Sequence, residues 1–489
     1  MRAIVENKRN YYWVLFAIIV LGVILRLNLF LFDKSFWFDE ASLALNVMNK
    51  SFGGLFGKLD FNQLCPWLFL FETKIITNFF GISERIFRLL PFLTSILSIF
   101  LFYPYCKYFI KNRTFCLLAM FFFAINTNLI YYSAEFKPYS FDVFATICLP
   151  LLLFRYKLKN PIFLGLIFAL FPWYSYSSLI VEFALVLIVL SELIYHRKKL
   201  KNFFMFLAPQ VLNLFVLGAH FSLGDEVRNY MTQLWSSSYI AHNFSNFFDL
   251  FLQNIFYIFH PFNYIMKAFP YFLPIVFAIF CTVGAIFALK QNKFKFWILI
   301  LPFLITLTLS YFGIYPYFDR LTLFLTPIFI IFFVKFFELI LKNKKAQLLM
   351  FAFLILISVN PTFKSMEKMK NLPSQDYEIF NLLHKKYKQG DFVVINDVSE
   401  PSMHYFLKRY EFPLDEKFII KEPQYADKAV AFKHLMMLDK NKNYWIYTNY
   451  LVNPRAPKLR GVLKAISKEK GMKFEEYSLG KTRLYYVGK

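Results

Sequence analysis

The sequence predicts an α-helical polytopic membrane protein with about eleven transmembrane helices and a soluble α/β domain at its C-terminus. Of its 489 residues, 58% are hydrophobic, against about 45 to 50% in globular domains. The apolar residues form runs close to the ~20 residues that a bilayer crossing requires. This apolar character ends near residue 364. The composition therefore excludes a single soluble core.

Eleven apolar runs can be drawn, at residues 11 to 32, 88 to 106, 114 to 132, 140 to 154, 161 to 177, 178 to 194, 203 to 221, 270 to 289, 296 to 312, 321 to 341 and 346 to 360. Clusters of Lys and Arg occupy every second connection, beginning with the N-terminus. The net charge of +24 is thus typical of membrane topology and does not indicate nucleic acid. The positive-inside rule places the N-terminus in the cytoplasm, and eleven spans leave the C-terminus outside.

Two of the outward connections are long, at residues 33 to 87 and 222 to 269. Loops longer than about 12 to 15 residues are usually functional. We therefore expect residues 1 to 363 to form a membrane domain whose outward loops carry the functional site.

A different pattern begins at residue 364, and residues 364 to 489 are expected to form a soluble domain outside the cytoplasm. Residues 376 to 388 have the periodicity of an amphipathic helix, and residues 392 to 396 and 444 to 448 have the composition of strands. A helix near residues 456 to 470 and a hairpin around Gly480 complete the α/β pattern.

Asp39 and Glu40 are adjacent carboxylates at the start of the first outward loop, directly after Trp37 and Phe38. Neighbouring side chains on a helix point about 100° apart, so the two acids are expected to serve different purposes. Two interpretations stay open: a functional carboxylate, or an N-cap in which Asp39 caps a helix of residues 42 to 48. Trp37 also fits an interfacial aromatic belt.

Charged residues lie at two later outward positions. Glu135 and Lys137 follow an apolar run, where charges cost free energy unless they are paired, reach the interface or line a wet cavity. A snorkelling Lys137 with Glu135 as counter-ion is the structural alternative to a functional site. Arg320 follows the ninth run and could equally anchor the tenth helix at the interface.

These positions resemble motifs of the glycosyltransferase C superfamily, specifically its protein O-mannosyltransferase-like and lipid A aminoarabinose transferase-like branch. Residues 37 to 41 resemble the Asp-Glu motif of the first external loop, and residues 80 to 91 are similar to the Gly-to-Pro stretch that follows it. Residues 131 to 139 resemble a later Tyr-Tyr-Ser element, and Arg320 with Pro327 resembles a late Arg-to-Pro element. The motifs occur in the family's order over about residues 10 to 335.

Two positions depart from the family's pattern. Cys65 stands where this branch commonly has the first residue of a Pro-Pro-Leu-like element. Lys137 stands where Arg is usual, which replaces a bidentate fork with a point charge.

The resemblance implies an integral membrane enzyme, in the bacterial inner membrane, that transfers a sugar with inversion from a polyprenyl-phosphate donor to an acceptor on the outer face. The donor's tail would stay in the bilayer, and the acceptor would be a glycan, a lipid or a protein. A phosphate leaving group needs cations and no general acid, so one carboxylate suffices as base. The resemblance implies Asp39 as that base, Glu40 as a residue that orients the acceptor, and Lys137 with Arg320 as phosphate clamps.

Five further residues are candidates for the same site. Glu135, Tyr139 and Trp37 would shape the substrate pocket. Arg85 and Arg88, near the outer end of the second run, are further candidates for phosphate binding, with interfacial anchoring as the alternative.

Metal binding is only weakly indicated. His242 and His260 lie in the second long loop, but a pair 18 residues apart has no recognised ligand spacing. The five cysteines are scattered singly and give no zinc spacing. A divalent metal ion stays an open alternative, and no other cofactor is predicted.

Other functions remain open at this point. A transporter or flippase of lipid-linked glycans would carry charged groups near the middle of several spans, whereas these acids cluster at outer ends, with Glu182 and Glu192 as exceptions. An O-antigen polymerase or ligase is not expected to carry the early Asp-Glu pair. A sensor with an outer ligand-binding domain would not need eleven spans.

Overall fold

The computed structural model contains a helical membrane part followed by a five-stranded sheet domain. It describes residues 8–32, 34–196, 200–240, 247–259, 272–371, 376–396, 400–412, 419–422, 439–449, 456–479 and 482–489. The helices of the membrane part are, in chain order, α1 Lys8–Leu31, α2 Phe38–Asn49, α3 Trp67–Phe80, α4 Glu84–Phe87, α5 Leu89–Phe109, α6 Arg113–Ile125, α7 Thr127–Ser133, α8 Tyr139–Tyr156, α9 Pro161–Leu170, α10 Ser178–His196, α11 Leu200–Ser222, α12 Asp225–Leu234, α13 Phe247–Ile258, α14 Phe272–Gln291, α15 Lys293–Tyr311, α16 Thr326–Ile340 and α17 Lys344–Asn371.

Each of the eleven predicted runs coincides with a helical segment, and the polytopic helical fold is confirmed. Among the described helices, eight are each long and apolar enough to cross a membrane, and a ninth span results if α6 and α7 count as one helix bent by 48°. The bend lies at Asn126, which is extended and accepts hydrogen bonds from the first amides of α7. The fifth run differs, because α9 has ten residues and only a 3₁₀ turn to Trp173 continues it. This length is well short of the ~20 residues of a full span.

A 3₁₀ segment, Asp319–Leu325, leads into α16, and together they form the centre of the membrane part. Of the apolar stretch in these two segments, 78% is buried. Gly284 on α14 faces α16, where a Cβ would lie 1.9 Å from the carbonyl oxygen of Phe332. The two helices can approach this closely only because residue 284 has no side chain.

The C-terminal domain is an α/β domain, as predicted. Its elements are α18 Asp376–Lys386, β1 Phe392–Asn396, α19 Glu400–Arg409, β2 Ile419–Glu422, β3 Tyr444–Asn449, α20 Ala456–Lys470, β4 Lys473–Leu479 and β5 Thr482–Gly488. The strand order is β2-β1-β3-β5-β4, with β1 parallel to β2 and β3 and with β5 antiparallel to β3 and β4. Helix α19 and strand β2 were not predicted.

Both faces of this sheet are covered. Val393 and Ile395 point to the face covered by α18 and α19, whereas Val394 packs with Leu463 of α20 on the other face. This alternation is the period of two that a strand requires. The predicted domain boundary at residue 364 falls inside α17, which continues to Asn371.

Helix α19 of the C-terminal domain packs on α2 of the first outward loop. One buried apolar cluster joins Phe36 and Phe136 of the membrane part to Tyr405 and Phe406 of α19. The sheet domain therefore lies on the same side of the membrane part as α2.

Candidate active site

The candidate site is built on α2, which begins just beyond the end of α1. Phe38 is the first residue of α2 and Trp37 is its N-cap, and the Trp37 side chain makes no capping hydrogen bond. The interpretation that Asp39 caps a helix of residues 42 to 48 is therefore wrong, because Asp39 already lies in the first turn. Asp39 and Glu40 occupy a position where the helix N-terminus favours carboxylates.

Glu40 points inward and forms a buried ion pair with Arg88. Nε and Nη2 of Arg88 donate to Oε1 and Oε2 of Glu40 at 2.8 and 2.7 Å, and the Phe136 amide donates to Oε1 at 2.7 Å. Burial by itself raises the pKa of Glu40, but the charge and hydrogen bonds of Arg88 keep this pKa below its ordinary value. Arg88 also donates to the carbonyl oxygens of Lys34 and Ser35. These contacts join the two residues to each other and to the backbone, away from solvent.

Asp39 points the other way, into a partly open site with two cations. Its Oδ2 lies 3.2 Å from Nη2 of Arg320 and 3.9 Å from Nζ of Lys137. The Asp39 side chain is 17% exposed, compared with 0% for Glu40. Lys137 also donates to Oε1 of Gln63 at 2.9 Å. The structure thus brings together Asp39, Lys137 and Arg320 from three distant parts of the sequence.

Three aromatic rings surround the Arg320 guanidinium. Its Cζ lies 5.2 Å from the ring centroid of Trp37, 5.9 Å from that of Tyr139 and 5.6 Å from that of Trp235. Cation–π contacts of this kind are each worth about 0.5 to 2 kcal/mol, depending on exposure. The rings pack around the guanidinium, and its Nη2 donates to Asp39.

Glu135 lies beneath Trp37 and is 1% exposed. The Trp37 indole Nε1 donates to its Oε1 at 3.2 Å, and its Oε2 has no hydrogen-bond partner among the described residues. Burial raises the pKa of Glu135 to about 7, and nearby Lys34 and Arg320 oppose this rise. Through the hydrogen bond from the Trp37 indole, Glu135 positions the Trp37 ring, which packs on Arg320.

Lys34 is a further buried cation near Glu40 and Glu135, and it was not predicted from the sequence. Its Nζ lies 4.0 Å from the ring centroid of Tyr131 and has no hydrogen-bond partner within the described part of the chain. Burial lowers the pKa of Lys34. The sequence signal that could have indicated Lys34 is its position five residues before Asp39. Gln63 and Trp235 were also missed, and no motif in the sequence indicated them.

Two predictions remain, namely Arg85 as a phosphate contact and the histidine pair as metal ligands. Arg85 is exposed on α4, and its Nη2 donates to the Leu31 carbonyl oxygen at the end of α1 at 3.0 Å. His242 and His260 lie outside the described residues. In the described ranges, no group of three or more His, Cys, Asp or Glu side chains could hold a metal ion.

Comparison with known proteins shows the same fold in two solved structures. The crystal structure of ArnT from Cupriavidus metallidurans bound to undecaprenyl phosphate matches with a TM-score of 0.55 and 11% identity, over 97% of this chain and 98% of that chain. The apo structure of the same protein matches with a TM-score of 0.51 and 12% identity, over 96% and 97% of the two chains. No family profile and no curated protein sequence matches. The expected glycosyltransferase C-like fold is thereby confirmed.

Proposed function

We propose that this chain transfers a sugar, with inversion, from a polyprenyl-phosphate donor to an acceptor hydroxyl on the outer face of the membrane. One observation carries the proposal: the partly exposed carboxylate of Asp39 lies close to two cations, Lys137 and Arg320. This arrangement offers a proton acceptor and a phosphate-binding pair in the same site.

The two cations suit the donor's phosphate. When the bond from the sugar's anomeric carbon to the phosphate oxygen breaks, negative charge develops on the departing polyprenyl phosphate. Lys137 and Arg320 stabilise that charge, and the leaving group needs no proton because its second pKa is near 6. Glu135, Trp37 and the partly buried rings around Arg320 keep the guanidinium in place. Arg85, which is exposed and donates to the Leu31 carbonyl oxygen, is a candidate for a more distant phosphate contact in this proposal.

Asp39 serves as the base in this proposal. The acceptor hydroxyl attacks the anomeric carbon on the face opposite the phosphate, and its proton passes to the Asp39 carboxylate. One displacement of this kind inverts the configuration at that carbon. Glu40 and Arg88 act from inside the protein, because their ion pair fixes the first turn of α2, on which Asp39 lies.

The membrane part supports a lipid-linked substrate. Phosphate held at the ends of the spans leaves a polyprenyl tail in the bilayer, and undecaprenyl phosphate is the ligand of the ArnT structure that shares this fold. The proposal places the chain in a bacterial inner membrane, with its N-terminus in the cytoplasm and the site and C-terminal domain on the outer side.

The positions of other buried acids favour an enzyme over a lipid-glycan flippase. Asp142 and Glu182 lie near the first turns of α8 and α10 and accept hydrogen bonds from Ser175 and Ser178. Both acids are therefore near helix ends and paired with hydroxyl groups, whereas a transport path would place charged groups near mid-span.

The test is incubation of the purified full-length protein with a panel of polyprenyl-phosphate sugars and candidate acceptors. We expect release of polyprenyl phosphate with one donor, and a product of inverted configuration. Including a chelator tests the open alternative of a divalent metal. Absence of transfer and of donor hydrolysis across the panel, together with movement of lipid-linked glycan in vesicles, would contradict the proposal and favour a flippase.

A further inference from the structure

Helix α19 of the C-terminal domain lies against the segment that leads into α2. Tyr405 is fully buried, and its ring centroid lies 4.8 Å from that of Phe36 and 6.5 Å from that of Phe87. Phe36 is three residues before Asp39 and is itself fully buried. The C-terminal domain therefore contacts the chain directly before the candidate base.

Phe36 connects this contact to the buried ion pair. The Arg88 guanidinium lies over the Phe36 ring, with 4.8 Å between its Cζ and the ring centroid. Arg88 in turn holds both carboxylate oxygens of Glu40. A continuous series of contacts thus runs from Tyr405 through Phe36 and Arg88 to Glu40, which is the residue next to Asp39.

Polar contacts at the end of α19 join it to α2 and to α4. The Lys408 Nζ donates to the Asn49 side chain at the last residue of α2. The Arg409 Nε lies 3.7 Å from Oε2 of Glu84, in the short helix that precedes Arg88. Helix α19 therefore contacts both the end of α2 and the short helix that precedes Arg88.

We propose that Tyr405 is a positioning residue, through which the C-terminal domain holds α2 so that Asp39 is correctly placed for proton transfer. This inference rests on the proposed function. A misplacement of about 1 Å that originates far from the reacting atoms can lower a rate by about 100-fold. The C-terminal domain is then a working part of the transferase site.

The ring of Tyr405, and not its hydroxyl group, makes these contacts. The Tyr405 hydroxyl has no hydrogen-bond partner among the residues that the structure describes. Tyr405→Phe therefore keeps every contact on which the inference depends, whereas Tyr405→Ala removes them.

A matched control exists on the other face of the same sheet. Leu463 of α20 is also fully buried, but it belongs to an apolar cluster whose described members all lie in the C-terminal domain. Leu463→Ala weakens the C-terminal domain without removing a contact with α2.

The experiment compares wild type, Tyr405→Ala, Tyr405→Phe and Leu463→Ala as full-length proteins, with the donor that the wild type uses. For Tyr405→Ala we expect kcat to fall by about 10- to 100-fold with the donor KM unchanged, because Lys137 and Arg320 do not lie on α2. The other two variants should keep kcat within about 3-fold of wild type. Equal losses in Tyr405→Ala and Leu463→Ala, or a wild-type kcat in Tyr405→Ala, would overturn the inference.

Deuterium uptake by the amides of residues 38 to 49 separates this inference from the proposed function. Tyr405→Ala should increase uptake in α2, and Leu463→Ala should not. This comparison needs no turnover, so it decides the positioning role even if the wild type uses none of the donors. Unchanged uptake in Tyr405→Ala would refute the positioning role.

Discussion

The Asp39 carboxylate and the Arg320 guanidinium lie 3.2 Å apart, although 281 residues separate them in the chain. The ion pair holds the two charged groups against each other. A donor phosphate would compete with Asp39 for Arg320, and in doing so it would release the carboxylate for the acceptor's proton. In the proposed mechanism, donor binding and activation of the base would thus be coupled through one guanidinium.

The first prediction concerns the two cations that we propose bind the donor phosphate. Lys137→Ala and Arg320→Ala should each lower transfer by about 10- to 1,000-fold, because each removes a charge that stabilises the departing phosphate. Lys137→Arg should keep part of the activity, since it retains the charge. Transfer rates at saturating and limiting donor concentrations provide the measurement.

Arg228→Ala is the matched control for these cations, because Arg228 forms an exposed ion pair with Asp225 in the second outward loop. It should behave as wild type. Normal transfer by both Lys137→Ala and Arg320→Ala would instead favour anchoring of these side chains at the interface.

Sequence patterns predicted most of the fold because they are local. Run length and charge clusters located the membrane helices, and periodicity located α18, β1, β3, α20 and the β4–β5 hairpin. The helices α3, α12 and α13 within the two long outward loops were missed, as were the short elements α19 and β2. Helix α19 has ten residues with Pro401 in its first turn, and β2 has four residues, so neither provides a long periodic signal.

The candidate site was predictable only in part. The motif order indicated Asp39, Lys137 and Arg320, which the structure brings together. Glu40 points inward, whereas Asp39 points into the site. This difference depends on the contacts of Glu40 with Arg88 and the Phe136 amide, two tertiary partners that no local pattern reveals. Trp235 lies in the second outward loop, and its contact with Arg320 is likewise a tertiary contact that no local pattern reveals.

A second prediction follows from the buried ion pair of Glu40 and Arg88. Glu40→Gln or Arg88→Gln leaves a buried charge without its partner, which typically costs about 3 to 5 kcal/mol. The free energy of unfolding should therefore fall, and activity should fall in proportion to the loss of folded protein. Thermal unfolding in detergent measures this, and the double variant should recover part of the loss. Full stability in both single variants would argue against a structural role.

A third prediction concerns pH and Glu135. Burial raises its pKa from 4.5 to about 7, so the folded state holds this proton more tightly than the unfolded state. The resulting stabilisation is fully present below about pH 4.5 and is lost as the pH rises through about 7. The unfolding temperature of wild type should therefore fall over this range more than that of Glu135→Gln. Exposed Glu469→Gln is the control, and parallel pH profiles for wild type and Glu135→Gln would contradict the assignment.

A fourth prediction is topological. Because α19 packs on α2, the first outward loop and the C-terminal domain should be accessible from the same side, which we expect to be the outside. Cysteines introduced at Ser51 and Lys468 should react with a membrane-impermeant reagent in intact cells, whereas one at Lys293 should react only after lysis. Background labelling should be low, since four native cysteines are buried and Cys148 is partly buried. Labelling of Lys293→Cys before lysis would reverse the orientation.

The last prediction separates the role of Asp39 in proton transfer from its role as an ion-pair partner. Asp39→Asn should lower transfer by about 100- to 10,000-fold, because a carboxamide cannot accept the acceptor's proton. Donor binding should be retained or tightened, since the substitution frees Arg320 and Lys137 from a competing negative charge. Asp60→Asn is the matched control, because Asp60 pairs with Lys50 in the same outward loop and is exposed. The measurements are transfer rate, donor affinity and thermal unfolding in one detergent. If Asp39→Asn transfers sugar normally, or loses activity only in step with lost folded protein, Asp39 is not the base.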